Sequence, residues 1–169
     1  MKILITGGTG YIGSHIATLL LEAGNDVILL DNLTNSKKNV VSGIEFICES
    51  YPDGNIDFYR GDLMFKRDIE LVFDENEIDA VIHLANKTGF IDSICPTDVF
   101  ENDITGTTNL LSVMVSHNVK RLIYISSLFQ TEKANFTNAI IEKMLKQVVN
   151  LVPDMSIAVL KCPEVGGTH

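Results

Sequence analysis

The stretch Thr6–Gly13 reads TGGTGYIG and decides the fold of this chain. It follows a short run of β-branched and aliphatic residues, Lys2–Thr6, and leads into Tyr11–Ala23, where apolar residues recur at helical spacing. Its glycines therefore stand where a predicted strand turns into a predicted helix. An acidic residue, Asp31, closes the next predicted strand, Asp26–Leu30.

Each glycine of this turn has a physical role in a dinucleotide site. Gly7 allows a tight turn, Gly10 lets the backbone approach a pyrophosphate, and Gly13 lets helix and strand pack closely. Asp31 lies ~20 residues downstream of this turn. In dinucleotide sites a carboxylate at this distance binds the ribose 2′-hydroxyl and repels a 2′-phosphate. No Arg or Lys adjoins it. We therefore predict NAD as the cofactor, in preference to NADP; the alternative is a tight turn in some other α/β fold.

Beyond this turn, strand-like runs alternate with segments of helical period. Most of the runs are nearly continuous in Val, Ile and Leu, which is typical of parallel strands that are buried on both faces. The predicted strands are Lys2–Thr6, Asp26–Leu30, Ile56–Arg60, Ala80–Leu84, Arg121–Ser126 and Ile157–Lys161. The predicted helices are Tyr11–Ala23, Lys38–Ser50, Lys66–Asn76, Asp98–His117 and Phe136–Asn150. This repetition predicts a Rossmann-type doubly wound parallel sheet of about six strands with helices on both faces, in a single domain over residues 1–169.

Composition and charge exclude several classes of function. The net charge of −9 would repel a phosphate backbone or an anionic lipid surface, so we expect no nucleic acid and no membrane as partners. With no apolar stretch of ~20 residues and no signal-peptide pattern, the expected location is cytoplasmic. Cys48, Cys95 and Cys162 fit neither a disulfide framework nor paired metal ligands and are expected to be buried thiols. No metal site is predicted.

Seven short segments, in chain order, carry a resemblance to a known family. They are Thr6–His15, Leu30–Leu33, Gly61–Leu63, Ile82–Ala85, Asn102, Thr105–Leu111 and Ile125–Ser127. With them the chain resembles the extended short-chain dehydrogenase/reductase family, and within it the NAD-dependent epimerases and dehydratases, most of all the nucleotide-sugar 4-epimerases. The resemblance is dense from position 1 to about 127.

The resemblance implies a set of cofactor-binding residues. They are Gly7, Gly10, Tyr11, Ile12, Gly13, Asp31, Asn32, Asp62, Leu63, Leu84, Ala85 and Asn102. Asp31 and Asn32 would bind the adenosine ribose, and the Asp62–Leu63 pair would flank the adenine. The Leu84–Ala85 pair would line the path to the nicotinamide, with Asn102 supporting that wall. Two of these residues also have plainer explanations, since Asp62 could be a helix cap and Asn102 a satisfied polar group on a helix.

The catalytic pair of the family is missing. Its members carry Tyr-x-x-x-Lys on the helix after the fifth strand, where the ammonium and the cationic nicotinamide lower the pKa of the phenol from ~10 towards neutrality. Aligned through Ile141–Glu142, the Tyr position falls on Ala134 and the Lys position on Asn138, and no tyrosine follows Tyr124. Ser127 survives at the assisting position, although it is equally an ordinary hydrogen-bonding residue at a strand end.

Two further departures concern the substrate side. Only a few residues separate Ser127 from the next helix, where the family has a longer loop over the nicotinamide and the sugar. The segment Leu160–His169 resembles a worn form of the strand and turn that precede the family's substrate-binding lobe, so we expect that lobe to be absent and a nucleotide sugar to bind only weakly. Among other candidate bases, His83 is expected to be a satisfied core residue. Lys143 and Lys146 are expected on a solvated helix face.

Three functions stay open from the sequence. The first is an NAD-binding relative of the 4-epimerases that has lost epimerisation and serves as a regulatory or assembly subunit. The second is an active epimerase or dehydratase with an unorthodox base or a partner chain that completes the site. The third is a scaffold without cofactor.

The resemblance also implies a homodimer. The helices Asp98–His117 and Phe136–Asn150 would pack as an intersubunit four-helix bundle. Both are apolar on more than one face. The first helix carries Val99, Ile104, Leu110, Leu111, Met114 and Val115.

Overall fold

A computed structural model of the protein describes residues 1–37, 39–49, 53–86, 100–127 and 132–162. The strands in these ranges are β1 (Lys2–Thr6), β2 (Asp26–Asp31), β3 (Ile56–Arg60), β4 (Ala80–His83), β5 (Arg121–Ser127) and β6 (Ser156–Cys162). The helices are α1 (Tyr11–Glu22), α2 (Asn39–Cys48), α3 (Lys66–Glu75), α4 (Gly106–Ser116) and α5 (Glu132–Leu151), with a π-helical turn at Glu101–Thr105 directly before α4. Every predicted strand is present, and no strand end differs from its prediction by more than one residue.

All six strands run parallel in one sheet, in the order β3-β2-β1-β4-β5-β6. This confirms the Rossmann-type doubly wound sheet predicted from the sequence. The direction of winding reverses between β1 and β4. The connections that follow these two strands therefore diverge and leave a crevice at the carboxyl edge of the sheet, which is where ligands bind in such folds.

Helices cover both faces of the sheet, each over its own apolar core. α1 and α2 lie over a core made of Ile3, Ile5, Ala17, Leu21, Val27, Leu29, Ile44 and Ile82. α3, α4 and α5 lie over a second core that includes Leu4, Ile28, Leu30, Val72, Phe73, Val81, Leu110, Met114, Leu122, Ile141 and Leu145. Successive residues of β1 and β2 enter alternate cores, and this explains why these strands are apolar along their whole length.

The last helix starts earlier than its apolar spacing predicts. α5 begins at Glu132 rather than at Phe136, so the connection after β5 is shorter than the sequence indicates. Apolar periodicity can locate a helix only from its first apolar residue, here Phe136. The residues before it, Glu132–Asn135, are mostly polar and give no apolar signal for the start of the helix.

The cysteine prediction is wrong for the two thiols that the structure describes. Cys48 and Cys162 are partly exposed, because the first ends α2 and the second ends the edge strand β6. Cys95 lies outside the described residues. Lys143 and Lys146 are exposed on α5, as expected. Within the ranges that the structure describes, no helix is both long and apolar enough to cross a bilayer.

Candidate functional site

A cavity of about 470 Å³ opens at the carboxyl edge of the sheet. All twelve residues that the sequence analysis assigns to the cofactor line it: Gly7, Gly10, Tyr11, Ile12, Gly13, Asp31, Asn32, Asp62, Leu63, Leu84, Ala85 and Asn102. Its volume falls within the range of about 300–1,000 Å³ that is usual for ligand pockets. The fold thus brings together residues as far apart in the chain as Gly7 and Asn102, while the binding role of each stays a prediction.

The glycine turn is packed so closely that side chains are excluded from it. Gly7 has a φ of +69°, and a Cβ there would lie 2.9 Å from the backbone nitrogen of Ala85. A Cβ on Gly13 would collide with the carbonyl oxygen of Gly7, because α1 approaches the turn at this point. The Gly7 amide donates to the Leu30 carbonyl over 2.9 Å, which fastens the turn to β2. Glycine at these positions therefore serves the turn and the helix packing that the spacing predicts.

The Asp31 carboxylate joins the glycine turn to the loop after β2. Its Oδ2 accepts a hydrogen bond from the Thr9 amide at 3.2 Å, and its Oδ1 accepts one from the Leu33 amide at 2.8 Å. The Ser36 hydroxyl lies 3.4 Å from Oδ1 and also contacts the Thr9 hydroxyl. These bonds hold the carboxylate in one orientation at the cavity wall, which is the preorganisation that a recognition group needs.

The loop after β3 is held by side chains from two directions. Asp62 Oδ2 accepts a hydrogen bond from Asn32 Nδ2 at 3.0 Å, and Asp62 Oδ1 accepts one from the Met64 amide at 2.9 Å. From the other side, Asp68 of α3 accepts the Asp62 amide at 3.0 Å. The helix-cap alternative for Asp62 is wrong, because the cap position of α3 is Phe65. Asp62 instead links the β2 and β3 loops that form one end of the cavity.

The wall after β4 is fixed mainly through its backbone. The Leu84 amide donates to the carbonyl of Thr6 at 3.1 Å, and the Ala85 amide lies 3.4 Å from the hydroxyl of the same residue. Asn102 closes the wall from the π-helical turn, and its Nδ2 donates to Asp103 Oδ1 at 2.9 Å. Asn102 is therefore both a satisfied polar group and a cavity-lining residue, and π-helical turns of this kind are frequent at functional sites.

His83 is a satisfied core residue, as the sequence predicts. Its Nδ1 lies 2.6 Å from the Thr6 hydroxyl and its Nε2 lies 2.9 Å from the Thr107 hydroxyl. Because Thr107 donates its own proton to the Asp103 carbonyl, it accepts from His83, so the ring carries its proton on Nε2. Burial lowers the pKa of His83 to about 4, which keeps the ring neutral at physiological pH and makes it a weak base.

The aligned lysine position, Asn138, is buried in a polar contact with β5. Its Oδ1 accepts a hydrogen bond from the Tyr124 hydroxyl at 2.8 Å, and both side chains are almost fully shielded from water. Burial raises the pKa of Tyr124 far above its usual range, and the nearby carboxylates of Asp103 and Glu142 raise it further. The last tyrosine in the chain is therefore a structural group and a very poor base.

A second polar contact fastens α5 to the edge of the sheet. Glu142 accepts a hydrogen bond from the Ser126 hydroxyl at 3.1 Å, and its other oxygen lies 3.1 Å from Lys161 Nζ on β6. Ser127 ends β5 and Ala134 lies in the first turns of α5, but the side chains of both lie outside the described part of the structure. Among the described residues, no group of three or more His, Cys, Asp or Glu is placed to hold a metal ion.

Residues 3–150 match the NAD dependent epimerase/dehydratase family. The chain belongs to this family. The UDP-glucose 4-epimerase of Yersinia enterocolitica is 36% identical over 188 aligned positions, which take in 100% of this chain and 55% of the relative. That of Bacillus subtilis is 32% identical over 187 positions, with 100% of this chain and 54% of the relative covered. The chain thus spans about half the length of the curated relatives it matches.

Solved structures agree with the assignment to the epimerase/dehydratase family. The UDP-glucose 4-epimerase of Bifidobacterium longum, in complex with NAD+ and UDP, has a TM-score of 0.85 and 29% identity over 95% of this chain and 52% of that one. The Stenotrophomonas maltophila enzyme, with bound NAD and formylated UDP-arabinopyranose, has a TM-score of 0.84 and 28% identity over the same shares. The fold of the described residues is therefore that of the first half of such epimerases.

Six further cavity residues were not assigned to the cofactor in the sequence analysis. They are Leu30, Thr34, Asn35, Ser36, Gly61 and Asn86. The polar ones lie in irregular loops, where no hydrophobic period exists to place a side chain. One sequence signal could have found Ser36, because an Asp that closes a strand and is followed by a run of short polar residues is typical of a turn organised by the carboxylate.

Proposed function

We propose that this chain is an NAD-binding domain that has lost the proton-transfer pair of the 4-epimerases. The observation that carries the proposal is the position of Asp31, whose carboxylate is held against the glycine turn within one cavity. A carboxylate there suits the two ribose hydroxyls of an NAD adenosine and opposes a 2′-phosphate. The similar UDP-glucose 4-epimerases of Bifidobacterium longum and Stenotrophomonas maltophila contain bound NAD, which supports the same cofactor here.

The residues of the cavity fit the parts of NAD in order. The N-terminus of α1 opens on the glycine turn, and its cap residue Gly10 has no side chain to occupy the backbone donors that would hold the diphosphate. Asp31 and Asn32 would hold the adenosine ribose, while Asp62 and Leu63 would flank the adenine. NAD bound in this way would supply a hydride acceptor on the side of Leu84, Ala85 and Asn102.

Loss of epimerisation is the finer part of the proposal. A base for the sugar hydroxyl needs a pKa near the working pH, and the family obtains it from the Tyr and Lys pair. Here an amide stands at the aligned lysine position, Asn138, and Tyr124 is buried with its pKa raised. The alignment with the relative from Yersinia enterocolitica is 188 positions long, whereas this chain has 169 residues. The relative therefore contains inserted residues that have no counterpart in this chain. A nucleotide sugar is accordingly proposed as a weak ligand at most.

Calorimetric titration of the purified chain with NAD+ and NADP+ tests the cofactor. We expect NAD+ to bind and NADP+ to bind at least about tenfold more weakly. Asp31→Ala should weaken NAD+ binding and narrow the difference between the two cofactors. Asp57→Ala, at an exposed position of β3, is the matched control and should change neither affinity. Absence of any heat with NAD+ at millimolar concentration would overturn the proposal in favour of a scaffold without cofactor.

An activity assay separates the proposed function from its main alternative. With UDP-galactose and NAD+, we expect the purified chain to form no UDP-glucose above the uncatalysed background. Turnover by the chain alone would show that an unorthodox base serves the reaction. Turnover that appears only with a second chain would show a site completed by a partner.

We also propose a homodimer in the cytoplasm. Of the apolar residues that the sequence analysis names on the first of these helices, Leu110, Leu111 and Met114 are buried within the monomer, and Val115 is exposed. The large apolar residues exposed on the described part of α5 are Phe136, Val149 and Leu151, so a dimer would depend mainly on this helix. Light scattering at micromolar concentration tests it, and a monomeric mass would contradict it. The location is tested by fractionation of cells that express the protein.

A further inference from the structure

We propose that Asn109 of α4 is a positioning residue for the adenine end of the cavity, an inference that rests on the proposed NAD binding. Its Nδ2 donates to two successive carbonyl oxygens, that of Leu63 at 2.9 Å and that of Met64 at 3.2 Å. Asn109 does not line the cavity, whereas Leu63 does. The side chain thus acts on the cavity wall from behind.

Helix α4 packs directly against this wall, and this places Asn109 within hydrogen-bonding distance of the loop. At Gly106, one turn before Asn109, an added Cβ would lie 3.0 Å from the Cβ of Leu63. The helix therefore contacts the loop at Gly106 and is hydrogen-bonded to it at Asn109. A helix is a rigid element, and a contact from it defines the position of a loop better than a contact from another loop does.

Asn109 is the third side chain that holds the loop Asp62–Met64 by hydrogen bonds. Asn32 holds the Asp62 carboxylate from the β2 side, and Asp68 holds the Asp62 amide from α3. Those two hydrogen bonds hold Asp62, whereas Asn109 holds the backbone carbonyls of Leu63 and Met64. Because the Met64 amide donates to Asp62 Oδ1, a shift of the Leu63 and Met64 peptides would also move that carboxylate. The hydrogen bonds from Asn109 should therefore position Asp62 and Leu63 relative to a bound adenine.

Removing the donor without changing the shape of the side chain isolates this role. In Asn109→Asp, carboxylate oxygens face the two carbonyls, so two hydrogen bonds are replaced by repulsion. We expect the Kd for NAD+ to rise about tenfold at neutral pH and to recover partly as the pH is lowered and the new carboxyl regains a proton. The matched control is Asn25→Asp, because Asn25 Nδ2 also donates to a backbone carbonyl, that of Leu20 at 3.1 Å, far from the cavity. It should leave the Kd and its pH profile unchanged.

A double-mutant cycle distinguishes positioning from general destabilisation. If Asn109 acts through the loop, Asp62→Ala combined with Asn109→Asp should bind NAD+ no more than about threefold worse than the weaker single variant. Additive effects of the two substitutions would overturn the positioning role. Wild-type chain that binds no NAD+ would overturn the proposed function itself. Wild-type binding with an unchanged Kd in Asn109→Asp would overturn only the inference about Asn109.

Hydrogen exchange without NAD provides a readout that does not depend on the cofactor. We expect the Met64 amide to exchange faster in Asn109→Asp than in the wild type, while the control Asn25→Asp leaves it unchanged. The milder Asn109→Ser replaces the substitution if Asn109→Asp does not fold by circular dichroism. Unchanged exchange at Met64 in a folded variant would show that Asn109 does not hold the loop.

Discussion

The two ends of the sheet's carboxyl edge use their polar side chains in different ways. At the β1–β2–β3 end, the carboxylates of Asp31 and Asp62 are half-buried, line the cavity and hold loops in place. At the β5–β6 end, the hydroxyls of Tyr124 and Ser126 point into the protein and bond to Asn138 and Glu142 of α5. The first end places its polar groups on a cavity, and the second uses them to hold a helix.

This difference shows that polar side chains at one edge of a sheet can line a cavity at one end and stabilise helix packing at the other. A polar side chain that faces a cavity can still form a hydrogen bond with a ligand. In a buried pair such as Tyr124 and Asn138, the two polar groups are bonded to each other. The cost of breaking a buried pair is high, because the remaining partner is left without a hydrogen bond. Stability therefore favours keeping the pair once it has formed.

The largest effect is expected from a side chain in the glycine turn. Gly13→Ala should destabilise the protein by about 3 kcal/mol, because its Cβ would meet the backbone of Gly7 and Gly8, which cannot move away. Urea denaturation measures the free energy of unfolding. Gly43→Ala in α2 is the control, since nothing lies near its added Cβ, and it should gain up to about 1 kcal/mol. Equal stabilities of the two variants would contradict the close packing at the cofactor end.

Acid should destabilise the protein through His83, which lies between the two ends. Its pKa is about 4 when folded and about 6.5 when unfolded, so the unfolded chain binds a proton that the native state excludes. The free energy of unfolding should fall by up to about 3 kcal/mol as the pH drops from about 6.5 to about 4. Denaturation of wild type and His83→Gln at several pH values isolates this contribution from that of the carboxylates. Parallel pH profiles of the two proteins would refute it.

A medium effect is expected at the structural end. Tyr124→Phe should cost about 1.5 kcal/mol, because it leaves Asn138 Oδ1 buried without its donor. Tyr59→Phe is a fair control, since that hydroxyl donates to Glu75 at a more exposed position, and it should cost less than about 0.5 kcal/mol. Thermal or urea denaturation measures both. If Tyr124→Phe also changed NAD+ affinity, the separation between the two ends would be weaker than described.

The smallest effect concerns an ion pair on the surface. His117 Nε2 lies 2.9 Å from Asp74 Oδ1, and this contact and the Val113 carbonyl raise the pKa of His117. Its stabilisation should be complete below the ordinary pKa of about 6.5 and disappear as the pH rises through the raised value. Asp74→Asn should therefore cost under about 1 kcal/mol at pH 5.5 and nothing at pH 8.5, since solvent screens the pair. Glu77→Gln, an exposed neighbour, should show no such pH dependence.

Most of the fold and the cofactor end of the cavity were predictable because their signals are local. Strand and helix follow from apolar period, and the roles of Gly7 and Gly13 follow from steric limits on a short turn. The acidic position at Asp31 follows from its place at the end of the second strand. Each of these depends on neighbours within a few residues or on a fixed spacing along the chain.

The contacts across the fold were not predictable in this way. Ser36 joins Asp31, and Asn109 reaches carbonyls about 45 positions earlier in the chain. Polar residues in loops and on helix surfaces have no period that indicates a partner. The burial of Asn138 could not be foreseen either, because an amide is equally common on a solvated helix face.

The sequence alone determined the doubly wound sheet, the glycine turn with Asp31, and the absence of a tyrosine after Tyr124. Only the tertiary structure decided that the predicted cofactor residues share one cavity, that Tyr124 is hydrogen-bonded to Asn138 in the core, and that Asn109 of α4 is hydrogen-bonded to the loop after β3. The physical reason is that backbone geometry and hydrophobic period are properties of neighbouring residues. Hydrogen-bond partners and pKa values depend on which distant residues the packed core brings together.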